Sequence, residues 1–128
     1  MTRFSSRHRA LLLIILLGGL ALRLYRLGAD SLWYDETVSA LLASKSLPAM
    51  WAHTARDIHP PLYYALLHGW TRLAGRSEFA LAFLSLGFGL ANVALAAHLG
   101  LRHYGPRVGV AAAGLAALSP LGVWYAQE

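Results

Sequence analysis

The chain has no cysteine, which excludes disulfides and thiolate metal sites and leaves the redox compartment open. Charge is scarce as well. Charged residues make up 13% of the 128 positions and hydrophobic ones 57%, a balance far from that of an ordinary soluble domain and close to that of a membrane protein. The net charge of +5 and the pI of about 10.1 would suit a nucleic-acid partner, but the cations are scattered singly and form no basic stripe, so none is expected. There is no Gly-rich phosphate loop, no Ser, His and Asp in the order of a known hydrolase, no repeat and no low-complexity tract.

What the sequence does contain is long apolar runs. Arg3, Arg7 and Arg9 precede an uncharged run from Ala10 to Leu22, which reaches Leu27 if Arg23 and Arg26 snorkel toward lipid headgroups. A cleaved signal peptide is the competing reading, since "GLA" at 19–21 resembles a small-x-small site. A second run, Phe79 to Leu101, carries no formal charge, and a third follows the "RHYGPR" turn from Val108 to Ala126. Three spans, about 10–27, 79–101 and 108–126, are expected within one region covering 1–128. Gly109, Ala113 and Gly114 in the third are small residues at helical spacing, suited to close helix approach in lipid.

Residues 28–78 contain no segment that crosses roughly 30 Å of hydrocarbon, and they read as surface-lying helices. One is expected from Glu36 to about Leu47, with Tyr34, Val38, Leu41 and Leu42 on its apolar face. Another starts at Pro60 and Pro61 and ends at Gly75, with His68 and Arg72 arguing against a crossing. The expected fold is therefore an all-α, polytopic membrane protein of the cell (inner) membrane. A cytoplasmic N-terminus returns Arg102 and Arg107 to the cytoplasm, as the positive-inside rule requires, and leaves 28–78 and "WYAQE" extracytoplasmic. Asp35, Glu36 and Glu128 then share one side of the membrane.

Adjacent acids in an apolar context need a reason. One is structural: Asp35 caps the helix that follows, and Glu36 complements the dipole of its first turn. The other is catalytic, and it rests on "WYDE", "DIHPPLYY" and "SPLGVWYAQE" occurring together in this order. On those motifs, from about Leu22 to Glu128, the chain resembles the bacterial family 39 glycosyltransferases, relatives of protein O-mannosyltransferases and of the aminoarabinose transferases that modify lipid A. The resemblance implies the N-terminal part of a GT-C membrane enzyme that takes a sugar from a polyprenyl-phosphate carrier, with inversion, to a lipid, protein or glycan acceptor. A part of this size is not expected to be active alone.

The resemblance places the catalytic base at Asp35, with Glu36 as its matched neighbour. A hydroxyl is a poor nucleophile, and a carboxylate within hydrogen-bond reach takes its proton as the glycosyl carbon is attacked. Cations at the interface would steady the departing phosphate, and Arg23, Arg26 and His59 are the candidates, against anchoring of the arginines at the headgroups and a backbone bond for the histidine. Glu128 is a further substrate-binding candidate, or a solvated helix end. Tyr63, Tyr64, Trp124 and Tyr125 are expected to form interfacial belts. His53, Asp57 and His59 invite a metal reading, but Pro60 ends the local helix and no second pair supports it, so no metal site is expected; a divalent cation stays open without being indicated. The alternative to an enzyme is a small non-enzymatic three-span scaffold or transporter-associated subunit, indifferent to loss of Asp35.

Overall fold

Ser5 starts the first helix by accepting a hydrogen bond from the His8 amide, and α1 runs Ser6–Leu24. The computed structural model describes residues 4–25, 27, 34–56 and 61–127, with the backbone alone at Asp35 and Glu36. Six further helices follow among the described residues, and no strand: α2 Tyr34–Ser44, α3 Leu47–Thr54, α4 Pro61–Ala74, α5 Glu78–Tyr104, α6 Pro106–Leu118 and α7 Pro120–Trp124. The all-α expectation is met. Pro61 opens α4 and Gly75, at φ +86°, closes it, where the sequence puts both ends.

The 27 residues of α5 extend for about 40 Å, and it is the one helix among the described residues long and apolar enough to cross a membrane. Only 22% of its most apolar window is buried, unlike the core helix of a soluble protein. α1 is as long as a span needs, but Arg7, Arg9 and Arg23 all lie within it. The third apolar run is not one helix. α6 stops after 13 residues, about 20 Å, because Pro120 removes a backbone donor and pushes Ser119 to φ −60°, ψ 118°.

The chain forms two units, residues 1–27 with 85–128, and residues 28–84. In the first, Val93 and Ala97 of α5 and Ala113 and Ala117 of α6 form a buried cluster, with Leu12, Ile15 and Leu16 of α1 against it. Alanines and Val93 form this cluster, while many large residues of the unit lie outside: Leu13, Ile14, Leu17, Phe88, Leu95 and Leu115 are exposed. This inverts a soluble core and matches helices that pack through small residues in lipid. The expected stripe holds at Gly109 and Ala113 but continues through Ala117, since nothing lies within 4 Å of a Cβ at Gly114.

α5 and α6 meet most closely beside the Gly105 turn, at φ +94°. A Cβ at Gly109 would lie 2.8 Å from the Ala97 carbonyl oxygen and 2.9 Å from Leu101 N, both backbone atoms. Gly109→Ala is therefore expected to destabilise the protein by about 1–3 kcal/mol, while Gly114→Ala is neutral or slightly stabilising. Thermal unfolding of both variants in neutral detergent checks the contrast; equal midpoints would show that the approach is not tight.

In the second unit, Leu42, Met50 and Tyr64 form one cluster and Ala43, Leu67 and Leu81 another, joining α2, α3, α4 and the start of α5. The inward face of α2 is Val38, Leu42 and Ala43; Tyr34 and Leu41, expected there, are 82% and 59% exposed. Tyr64 belongs to this core, edge-on to Tyr63 at 5.8 Å, and so is not part of an interfacial belt. Trp124 and Tyr125 are exposed and stacked at 6.0 Å.

Candidate functional site

α2 is described from Tyr34, and Asp35 and Glu36 are helical residues at that end of it, so Asp35 is not its cap. Unpaired amides and the helix dipole favour carboxylates at that position. The other end of α2 is fixed by three donors. The Ser44 hydroxyl donates to Leu41 O at 2.7 Å, the Lys45 amide to Leu42 O at 3.2 Å, and the His68 Nδ1–H to Ala43 O at 2.8 Å. His68 is buried and its bond identifies the Nδ1-protonated tautomer, because a carbonyl only accepts. It ties α2 to α4, and Trp70 on the same helix ties α4 to α5 by donating Nε1–H to Ala80 O at 2.7 Å. The end of α2 away from the acids is thus satisfied, with Leu42 and Ala43 buried there.

Arg26, His59 and Glu128 lie outside the described residues, as do the side chains of Asp35 and Glu36. Asp57 and His59 of the metal reading lie outside them too; among the described residues no three potential ligands gather.

Arg23 is described, and it does not snorkel. It is 1% exposed, with its guanidinium turned inward onto backbone carbonyls. Nη1 donates to Gly19 O and Ala117 O, each at 3.1 Å, and Nη2 to Ala116 O and Gly122 O, each at 3.4 Å. The acceptors follow from the α6–α7 break. In a continuous helix Ala116 O would receive the amide of residue 120, which is proline, and Gly122 O the amide of Ala126, which donates to Val123 O instead. Arg23 supplies what the break removes. Such a break is tolerated at membrane depth only where freed backbone groups find other partners.

Gln127 returns the arrangement. Its Nε2 donates to Tyr25 O at 2.7 Å and to Leu22 O and Arg23 O at 3.3 and 3.4 Å, capping the last carbonyls of α1. So α1 caps the break in "SPLGVWYAQE", and that motif caps α1. Ser119 contributes by accepting from the Gly122 amide at 3.2 Å. Arg23 Nε is buried without a partner among the described residues, and it passes where a Cβ on Gly89 would lie 3.0 Å away. Gln127 and Gly89 carry no signal in the sequence that marks them for these contacts; Pro120 does, as a proline inside an apolar run. No family model, curated protein or solved structure matches this chain.

Proposed function

We propose that the chain belongs to a membrane glycosyltransferase of family 39 type that moves a sugar from a polyprenyl-phosphate donor to an acceptor at the extracytoplasmic face. The observation that carries this reading is the ordered conjunction of "WYDE", "DIHPPLYY" and "SPLGVWYAQE" on one chain. The inverted packing of the first unit and the apolar length of α5 support a membrane setting, with α1 and the α6–α7 pair as further membrane-embedded elements.

In the proposed reaction the acceptor oxygen attacks the anomeric carbon as the bond from that carbon to the phosphate oxygen breaks. Asp35 takes the hydroxyl proton, and polyprenyl phosphate leaves with the bonding electrons. Direct displacement inverts the anomeric centre. Glu36 is assigned to the catalytic pair as the matched neighbour of Asp35, His59 and Glu128 to donor and acceptor binding on the motifs they belong to, and Arg26 to the departing phosphate as an interfacial cation. Arg23 is assigned to holding α6 and α7 against α1, on its three carbonyl contacts there.

Membranes carrying the full-length protein that contains residues 1–128, supplied with a panel of radiolabelled polyprenyl-phosphate hexoses and pentoses, are expected to consume label from at least one carrier and deliver it to an acceptor. Carrier-linked label that persists across the panel, at the level of membranes without the chain, would overturn the assignment.

A further inference from the structure

Cations that the sequence spreads singly converge in the second unit. Lys45 in the turn after α2, His53 in the last turn of α3 and Arg56 just beyond it line a cavity of about 670 Å³. Ala49 and Ala52 complete the lining and add no bulk beyond Cβ. These positions recur at helical spacing and mark one side of α3, while Met50 and Thr54 on its other side are buried. Lys45 Nζ stands 3.5 Å from His53 Nδ1, so side chains from opposite ends of α3 meet over the alanines. No carboxylate lines the cavity among the described residues.

Two fixed cations gathered with no counter-charge lining the cavity among the described residues repel one another and have donors to spare, and an anion entering between them relieves both costs. We propose that this cavity binds a phosphate group. Arginine and lysine hold phosphate by charge-assisted hydrogen bonds, and His53 adds a ring donor. The volume exceeds that of a bare phosphate and accepts a headgroup. Leu47 and Trp51 are 48% and 60% exposed, and helical spacing places them on the face of α3 opposite the cations, the two-faced pattern of helices that lie in a membrane interface. Phosphate borne by an anionic lipid and free phosphate share this chemistry. The proposal does not depend on the transferase reading.

The test uses the full chain in neutral-detergent micelles, titrated with inorganic phosphate, with dihexanoyl phosphatidic acid, and with dihexanoyl phosphatidylcholine as the zwitterionic control, followed by ³¹P NMR. Saturable binding of phosphatidic acid alone assigns a lipid source, and saturable binding of inorganic phosphate of equal strength assigns a free one. Lys45→Ala with Arg56→Ala is expected to weaken binding by about tenfold or more, through lost hydrogen bonds to charge. Arg72→Ala with Arg76→Ala, which removes the same charge from exposed positions that do not line the cavity, should change it by less than about twofold. Ala49→Glu, which places a carboxylate in the cavity, should abolish binding with helical circular dichroism unchanged. Equal weakening by the two arginine-containing pairs, tight binding by Ala49→Glu, or no saturable binding by the unaltered chain would each overturn the proposal.

Discussion

Replacing Asp35 with asparagine in the full chain is expected to lower sugar transfer by about 10²–10⁴-fold, the usual contribution of a positioned general base. Asparagine keeps the shape of the side chain and cannot take the proton. The residue lies at the N-terminal end of α2 as described, where a carboxylate also has a structural use, so the two roles must be told apart. Loss of the dipole interaction costs about 0.3–1 kcal/mol, too little to unfold a helix held at its other end by His68, Leu42 and Ala43. Glu36→Gln removes the same interaction one residue later. A purely structural pair predicts small, equal effects of the two variants on the thermal midpoint and on transfer. A base at Asp35 predicts matched midpoints with transfer collapsing in Asp35→Asn and falling less in Glu36→Gln. Full transfer by Asp35→Asn would defeat the assignment of Asp35 as the base.

The elements that were legible in the sequence are those whose ends carry local chemistry. Pro61 and Gly75 bracket α4 because proline fits a first turn and glycine takes the left-handed closing residue. The length of α5 follows from the uncharged run 79–101, flanked by Ser77, which accepts from Ala80 N at 3.1 Å, and by Gly105. The inward face of α2 was only half legible. Val38 and Leu42 pack inward as their spacing predicts, but Tyr34 and Leu41 share that spacing and are exposed. Where apolar surface faces lipid as readily as protein, periodicity marks both sides of a helix alike and does not choose between them. The third run misleads in another way. Its mean hydropathy ignores the restriction that Pro120 places on Ser119, and so a helix that breaks reads as a helix that spans. Of the candidate site, the acidic turn was visible as a position, while Arg23 was not. A flanking arginine normally reaches for headgroups. Only the fold brings it to carbonyls more than ninety residues away.

Arg23→Met is expected to destabilise the protein by about 3–5 kcal/mol, measured by denaturant unfolding in mixed micelles. The methionine fills much of the same space and donates nothing. The carbonyls of Ala116, Ala117 and Gly122 then lose the donor that replaces their helical partners, and unpaired buried acceptors cost about 1–3 kcal/mol each, offset by relief of burying the charge and its unpartnered Nε. Arg23→Lys should fall between, since a single ammonium on a shorter stem does not reproduce the guanidinium fork. The cause can be isolated through Pro120. Pro120→Ala restores the amide that Ala116 O lacks and lets α6 run on into α7, so the α6 carbonyl that Arg23 serves in place of proline regains a partner within the helix. In that background Arg23→Met should cost at least about 1 kcal/mol less than in the parent, a coupling that a double-mutant cycle reads directly. If Arg23 acted only through packing against Gly19 and Ala117, the two substitutions would add, and the account of a helix break repaired by a distant arginine would fall.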